Sequence, residues 1–385
     1  MMIRRGARED WRRARGPRRA APTAAGVVQA LILLAIASSR PSILQAGPEI
    51  SLRAPVSYRI WTLPDTSSTE VSQLLAPAIL SIGVSDLLGL VFQGGYQLGA
   101  LSEGREVDLQ GPTDVKAAIV LRPMSGRMLI QAGVNIPTGP GGFDEEERLV
   151  ASALAPPYLG YRLRQPGRGL DAGLALSLAI PIAEGWTLGL GSGYLYRGRH
   201  TPLDDGEEIT PGAETSVSTG LDAEVGSSMI RVDVTRRIYA RDEGGRFEYE
   251  EPSAWEGSLK ALARGRRWDG EATALVNVKE DSEVSPSAYA GIYAGGNLSL
   301  GRRFAAGLFL GIVGEMVRFR AENPDGDGHR FVSTTGGAGP QIRVGSGRVR
   351  IEGSALRMIG DLDGESIEGW DAHLALLLRS GNRDE

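Results

Sequence analysis

Apolar and polar residues alternate along the chain from Gly47 onward, in short segments of roughly ten residues. The first segment sets out the pattern most plainly. It puts Ile50, Leu52, Ala54, Val56, Tyr58 and Ile60 on one face and Ser51, Arg53, Pro55, Ser57, Arg59 and Trp61 on the other. A period of two predicts β-strands whose two faces meet different solvents. Because the pattern recurs along the whole chain, it predicts a transmembrane β-barrel with lipid outside and water inside.

The connections between these segments alternate in length. Short ones include Gly83–Asp86 and Gly226–Ser227, whereas 138–169 and 198–214 are long. Other long connections are expected at 62–70, 99–112, 240–253, 280–286, 317–329 and 359–368. The alternation predicts an all-β, antiparallel barrel of about 16 strands, within a range of 12–16, with short periplasmic turns and longer outer loops. It requires residues 156–164 to lie in a loop, since counting them as a strand gives seventeen.

The first 46 residues differ in composition from the rest. Nine arginines lie among them, and an apolar run from Ala24 to Ala37 follows that is too short to span a bilayer. This arrangement predicts a signal peptide over residues 1–46, with cleavage after Ala37 or Ala46, followed by one barrel domain at 47–385. No later run of about 18 apolar residues exists, so no transmembrane helix is expected.

Charge and cysteine content exclude several classes of protein. The chain has 42 basic and 47 acidic residues, the leader has 9 and 2, and the remaining 33 and 45 give the mature chain a net charge of −12. Because the mature chain is acidic, nucleic acid is not an expected partner. The absence of cysteine excludes disulfides and thiol catalysis. The expected partners are outer-membrane lipids, the barrel-assembly machinery and small-molecule solutes, with no cofactor.

Charged and aromatic residues take distinct places in the predicted barrel. Tryptophans at predicted strand ends suit the two interfacial girdles, because the indole is apolar with one polar N–H. These are Trp61, Trp186, Trp255, Trp268 and Trp370. Polar residues on the inner face are expected to line the lumen, in both signs. The lumen-lining candidates are Arg53, Arg59, Lys116, Arg122, Asp171, Arg231, Asp233, Arg237, Lys260, Asp269, Glu271, Arg350, Glu352 and His373.

Two stretches resemble one family of outer-membrane proteins. The hairpin at 75–90, with Gly-Val-Ser-Asp at its turn, resembles a hairpin of the phenol meta-pathway-like outer-membrane channels. Gly111–Lys116 and Val134–Gly139, which ends in Pro-Thr-Gly, resemble the strand and strand-to-loop signatures of the same family. The resemblance covers about residues 70–200. It implies an outer-membrane barrel, linked in some members to uptake of aromatic or hydrophobic compounds.

Few residues point to catalysis or metal binding. The chain has three histidines and neither a Gly-x-Ser-x-Gly nor a His-Glu-x-x-His motif. Ser354 and His373 could approach on neighbouring strands, but pairs of that kind arise by chance, so no enzyme and no catalytic residue is predicted. Asn323, Asp325 and Asp327 match the first half of a calcium loop, yet position twelve is Thr334 where the motif needs a bidentate Glu. A solvated turn is therefore preferred over a metal site.

The sequence thus predicts a channel of the outer membrane for passive transport of small molecules, including hydrophobic or aromatic ones. Two alternatives stay open: a non-transporting barrel with a structural or surface-interaction role, and an outer-membrane hydrolase. Long loops at 138–169 and 198–214 are the ones expected to fold inward and narrow the mouth.

Overall fold

A computed structural model describes most of the chain beyond the leader. The described residues are 49–64, 69–103, 105–161, 167, 169–201, 206, 208–244, 251–280, 291–304, 307–322, 330–346 and 348–380. All of them belong to one compact unit, Ala46–Glu385. The predicted signal peptide at 1–46 lies outside the described residues, as do Asn323, Asp325 and Asp327. Within the described part of the chain, no helix is both long and apolar enough to cross a membrane.

The strands form a single closed antiparallel barrel. Each strand pairs with the next along the chain, except that β4 and β5 both pair with β3, and β1 pairs with β17 to close the wall. The strands are β1 Glu49–Thr62, β2 Glu70–Gly83, β3 Leu88–Ser102, β4 Glu106–Pro112, β5 Val115–Leu121, β6 Met128–Ile136, β7 Asp171–Ala183, β8 Trp186–Tyr196, β9 Glu214–Val225, β10 Ser228–Tyr239, β11 Ala254–Arg264, β12 Trp268–Lys279, β13 Gly291–Arg303, β14 Leu308–Glu322, β15 Arg330–Ser346, β16 Val349–Leu362 and β17 Glu365–Ser380.

The wall nevertheless has sixteen strands, because β4 and β5 are two halves of one. Leu101 of β3 pairs with Val107 of β4, and Leu90 of the same strand pairs with Ile119 of β5. The halves are separated only by Thr113 and Asp114. The predicted barrel of about sixteen antiparallel strands is therefore confirmed.

Connection lengths follow the predicted alternation with two exceptions. Residues 99–112 and 359–368 were expected to be long loops, but strands occupy almost all of both. In the second, Asp363 at φ +54° and Gly364 at φ +92° join β16 to β17 directly. Asp-Gly with both residues in the left-handed region forms a tight hairpin turn whose twist matches its strands. That prediction of a long loop was wrong, and Asp-Gly was the signal for the turn.

The strand register assigns every residue to one face of the wall. Arg59 of β1 forms a salt bridge of 2.8 Å with Glu315 of β14, although β15, β16 and β17 lie between these strands. Such a bond must cross the interior, so both side chains point inward. Residues paired directly across an antiparallel ladder share a face. Alternate residues such as Leu174 and Leu176, which are 57% and 40% exposed, therefore lie on the outer face.

Candidate functional site: the lumen and its inward loop

The connection between β6 and β7, residues 137–170, leaves the wall at a defined joint. Asp114, in the gap between β4 and β5, accepts hydrogen bonds from the side chain of Asn135 at 2.8 Å and from Gly139 N at 3.0 Å. The Thr138 hydroxyl accepts from Val115 N at 3.0 Å and donates to Thr113 O at 3.1 Å. The Gly-Pro-Thr-Asp and Pro-Thr-Gly segments of the sequence thus meet here and fix the direction of the loop.

Beyond this joint the loop forms a helix that lies against the inner face of the wall. Helix α1 spans Glu145–Leu154 and begins with a capping box between Asp144 and Glu147. Its apolar residues Val150 and Leu154 are buried, and they pack in one cluster with further apolar side chains. The other members of that cluster are Val71 of β2, Val107 and Leu109 of β4, and Phe143. Inner-facing apolar residues on these strands therefore contact the loop and not water.

The helix approaches the wall closely at one glycine. A Cβ atom on Gly99 of β3 would lie 2.7 Å from Leu154 Cδ1 and 3.2 Å from Val150 Cγ1. Both distances are shorter than ordinary contacts, so a side chain at this position would push the helix away. Glycine here is required by the packing of α1 on the sheet.

The next part of the loop crosses to the opposite strands. A 3-10 turn at Pro157–Leu159 contacts β14 and β15, where the Thr335 hydroxyl donates to Tyr158 O at 3.1 Å. The Tyr158 ring packs against Phe331 and Phe319, with centroids 5.0 and 5.8 Å away. Leu159 joins a second buried cluster with Trp61, Leu356, Met358 and Ile367. For the described residues of this connection, the prediction that 138–169 folds inward and the placement of 156–164 in a loop are both confirmed.

Trp61 corrects the predicted girdle. Its side chain is 0% exposed, and Nε1 donates to Leu159 O at 2.9 Å. The residue points inward by register and anchors the loop, so its assignment to the membrane interface was wrong. A tryptophan at a strand end suits a membrane interface, but its indole N–H can equally well bind a backbone carbonyl inside the barrel.

Arg59 ties the loop to three strands of the wall. Nε donates to Asp371 Oδ2 at 2.6 Å and Nη2 to Glu315 Oε1 at 2.8 Å. Nη1 donates to the carbonyl oxygens of Leu159 and Gly160, at 3.2 and 2.9 Å. Side-chain exposures of 7% for Arg59, 18% for Glu315 and 7% for Asp371 show that this cluster is largely removed from water. One guanidinium thus stabilises two buried carboxylates and the loop backbone at once.

Gly160 is the residue that lets Arg59 reach the loop. Its φ of +68° lies in the left-handed region, and a Cβ here would fall on Arg59 Nη1. A substitution would both strain the backbone and displace the guanidinium. One residue further, the Tyr161 hydroxyl donates to Val71 O at 2.5 Å, and burial raises the pKa of this phenol. We call the strands beneath the loop, β14–β17 and β1–β4, the covered wall.

Of the remaining strands we call β7–β12 the open wall, and two of them, β8 and β9, have an inner face of small residues at their centre. Directly paired positions across β8 and β9 are glycine or serine on the inside. These are Gly189, Gly191, Gly193, Ser216, Ser218 and Gly220. Almost no side-chain volume projects into the lumen from this part of the wall. A cavity of ≈ 290 Å³ lies against it, lined in part by Ser177, Asp222 and Asp233.

Charged side chains on the open wall form cross-strand pairs that remain in contact with water. Arg231 makes a bidentate pair with Asp222, both bonds at 2.6 Å, and these side chains are 47% and 31% exposed. Lys260 and Glu271 lie 3.2 Å apart and are each 42% exposed. Arg237 bonds Glu214 at 2.6 Å. Exposed charges on an enclosed face require water inside the barrel at these strands.

A second cavity of ≈ 410 Å³ lies between the loop and the strands opposite it. Arg59, Lys260 and Glu315 supply charge to its lining. The uncharged side chains of the lining that a solute could contact are those of Tyr293, Asn297, Thr273, Leu275 and Val317. The space beside the loop therefore offers charges of both signs, amide and hydroxyl groups, and an apolar side.

The predicted lumen-lining residues that lie in strands all fall on the inner face by register, and the Arg122 side chain lies beside inner-facing Gly89 of β3. Those on the covered wall are Arg53, Arg59, Arg350, Glu352 and His373. Lys116 lies on β5, and Arg122 lies in the turn after β5. Those on the open wall are Asp171, Arg231, Asp233, Arg237, Lys260, Asp269 and Glu271. Several are paired within the wall: Arg303 with Asp269 at 3.0 Å, and Arg343 and Arg350 with Glu352, both at 3.0 Å.

The other four predicted girdle tryptophans lie on the outer surface. Trp186, Trp255, Trp268 and Trp370 are 42%, 48%, 55% and 50% exposed. Arginines stack on two of them, Arg236 on Trp255 at 5.1 Å and Arg357 on Trp370 at 5.2 Å. Trp186 and Trp268 begin strands at the end with short turns, and the other two lie toward the opposite end.

The described residues contain no group of three or more His, Asp or Glu placed to hold a metal ion. Ser354 and His373 are register partners across β16 and β17. The next inward carboxylate on β17, Asp371, is bonded to Arg59. This carboxylate therefore helps to hold Arg59 against the loop.

Sequence reasoning missed the residues that hold the loop down. Leu159 and Gly160 offer only backbone carbonyls, which no motif reveals, and Tyr158 and Tyr161 lie in a segment that was predicted only to be a loop. The second loop expected to fold inward, 198–214, bonds instead at the rim in its described part. Thr210 pairs with Glu243 of the β10–β11 connection, and Arg197 donates to Gly212 O at 2.7 Å.

Comparisons with known proteins return solved structures of low sequence identity and low TM-score. No protein-family profile matches the chain, and no curated protein matches its sequence. Among solved structures, Pseudomonas aeruginosa OccK9 (OpdG) has a TM-score of 0.44 and 14% identity, covering 89% of this chain and 100% of that one. P. aeruginosa OccK5 (OpdH) has 0.44 and 12%, covering 87% and 99%. Salmonella typhi OmpF, solved in complex with daunomycin, has 0.42 and 12%, covering 87% and 98%. The sixteen-stranded architecture assigned here rests on the strand register and not on these similarities.

Proposed function

We propose that this chain is an outer-membrane channel through which small molecules pass passively, beside a loop that narrows one side of the lumen. The observation that supports it is the contrast between the two inner faces. Beneath the loop the covered wall buries inner residues such as Arg59 and Trp61, whereas the Arg231–Asp222 and Lys260–Glu271 pairs of the open wall are about one-third to one-half exposed. Water therefore occupies the part of the lumen that the loop leaves free.

Placement in a membrane is supported by the outer face. Large apolar side chains there are exposed on strand after strand, including Leu174 at 57%, Leu298 at 59% and Ile312 at 65%. An apolar band this extensive on a protein surface marks contact with lipid or a partner. Exposed tryptophans toward both ends bound the band, as at membrane interfaces. We propose that the chain reaches the outer membrane after cleavage of its signal peptide, behind Ala37 or Ala46, and is inserted there by the barrel-assembly machinery.

The cavity of ≈ 410 Å³ supports a class of solute. Its lining combines Lys260 and Asn297 with Tyr293, Leu275 and Val317. Such a mixture suits a molecule with an apolar or aromatic part and a polar or charged group. The resemblance of 75–90, 111–116 and 134–139 to phenol meta-pathway-like channels implies the same class. We therefore include small aromatic compounds among the solutes.

Conductance and solute flux test this function. Purified protein in planar bilayers should give discrete conductance steps, and proteoliposomes should admit benzoate and phenol. Lys260→Gln removes a cavity charge and should slow benzoate more than phenol, because only benzoate is anionic. Lys279→Gln removes the same charge at the end of β12 that adjoins a long loop, away from the cavity, and serves as the control. A barrel that inserts into bilayers but gives no conductance and no flux would favour the non-transporting alternative.

A further inference from the structure

One arc of the barrel end with short turns is rich in exposed arginine. The turn between β11 and β12 contributes Arg266 and Arg267, and Arg302 lies at the end of β13, just before the adjacent turn between β13 and β14. The next turn along, between β15 and β16, adds Arg348. Successive turns at this end lie side by side, because β11 to β16 are neighbours in the wall. The arc therefore presents a continuous basic rim.

Part of this arginine set is not used by the protein itself. Arg303 and Arg350, which belong to the same arc, are engaged with Asp269 and Glu352 on the inner face. Arg266, Arg267 and Arg302 are exposed and form no ion pair with any residue that the structure describes. Three exposed guanidinium groups of like charge give this rim a positive potential that attracts an anion.

Aromatic residues set the level of this rim relative to the lipid. Trp268 directly follows Arg267 and is 55% exposed on the outer face. Phe304 is 44% exposed, and the Arg302 guanidinium stacks over its ring at 5.3 Å. Exposed aromatic rings of this kind lie at the boundary between acyl chains and headgroups. The guanidinium groups beside them therefore lie at the depth of the lipid phosphates.

We propose that Arg266, Arg267 and Arg302 form a binding site for the headgroups of anionic phospholipids in the periplasmic leaflet. A guanidinium matches phosphate oxygens in bidentate fashion, and neighbouring arginines add to the attraction of a negative surface. A lipid satisfies both parts of the site at once, with its phosphate on the arginines and its chains along the outer face below Trp268 and Phe304. The inference rests on the membrane location given above and is independent of transport.

Lipid binding to the purified barrel tests this site. The mature protein should retain phosphatidylglycerol over phosphatidylcholine in native mass spectrometry, and should lose at least about tenfold of that preference in Arg266→Gln/Arg267→Gln/Arg302→Gln. The control is Arg53→Gln/Lys116→Gln/Arg264→Gln, which removes the same charge from positions on the inner face. The control should bind phosphatidylglycerol as the parent does.

Each contrary result overturns a different statement. If Arg266→Gln/Arg267→Gln/Arg302→Gln kept the parent's preference for phosphatidylglycerol, the lipid site would be overturned. An equal loss of that preference in the control variant would also overturn it. Displacement of phosphatidylglycerol by inorganic phosphate at similar concentration would show a site for free anions and not for lipid. Failure of the parent to enter bilayers at all would instead overturn the membrane location, and reconstitution of the same sample reports that separately.

Discussion

The covered wall and the open wall have the same alternating strand pattern, but their inner faces meet different surroundings. On the covered wall, inner residues such as Val71, Leu109 and Met358 are buried, and the charged cluster at Arg59 is closed off from water. On the open wall, inner positions are glycine and serine or exposed ion pairs such as Arg231–Asp222. Lumen shape is therefore set by one loop docked on one side, since the sheet itself is continuous around the barrel.

This contrast predicts very different costs for losing an arginine. Arg59→Met leaves two buried carboxylates and two loop carbonyls without their donor, and should lower the free energy of unfolding by about 3–5 kcal/mol. Arg231→Met, the matched change on the open wall, leaves a carboxylate that water can reach and should cost about 1 kcal/mol or less. Denaturant unfolding in detergent micelles measures both. Equal costs would mean that the two inner faces are equally wet.

The outer face of the open wall gives the next largest effect. Leu176→Arg puts a charge on the lipid side near the middle of β7 and should cost about 2–4 kcal/mol. Its neighbour Ser177 faces the ≈ 290 Å³ lumen cavity, so Ser177→Arg should cost far less. The same denaturant titration in lipid vesicles compares the two. A larger cost at 177 than at 176 would invert the assigned faces.

Gly160 provides a test confined to the loop. Gly160→Ala should cost about 1–2 kcal/mol for the left-handed backbone alone, and should also displace Arg59. The loop should then be cleaved by trypsin at the exposed Arg148 faster than in the parent. Gly257→Ala on the open wall, where an added Cβ meets nothing within 4 Å, is the control. Unchanged cleavage in Gly160→Ala would show that this contact does not hold the loop.

At the rim of the open wall, Glu251 should make a small contribution to stability that is lost in acid. Burial alone would raise the pKa of Glu251, but Lys279 and Arg197 outweigh it and hold the pKa below its ordinary value. A lowered folded pKa gives stability that is present above the unfolded value near 4.5 and is lost as the pH falls through the folded one. Glu251→Gln should reduce this acid-dependent loss in a thermal melt, whereas Glu208→Gln, at an exposed pair, should leave it unchanged.

The sequence predicted the barrel because that information is local. Alternation from Ile50 to Trp61 defines a strand and its two faces without knowledge of any partner. Pro137–Gly139 likewise marked the place where the loop leaves the wall, and the structure confirms it through Asp114. Strand number followed from the alternation of connection lengths, with the break at Thr113–Asp114 adding no extra strand to the wall.

The contacts of the loop were not predictable in this way, because they join residues that are far apart in the chain. Arg59 meets Glu315 and Asp371 only once the barrel has closed in the correct register. A slip of one residue in any strand between them would turn these side chains to the lipid. Trp61 shows the same limit, since a tryptophan at a strand end fits a membrane girdle as well as a loop anchor until its face is known.

Single-channel conductance of a loop-deleted barrel tests the central claim most directly. Deleting residues 140–155 removes α1 and Phe143 but leaves all strand pairings in place. The account predicts a higher conductance than in the parent, with the heat-modified gel shift of a folded barrel retained. Unchanged conductance in a folded, conducting variant would contradict it, because the loop would then not be what narrows the lumen.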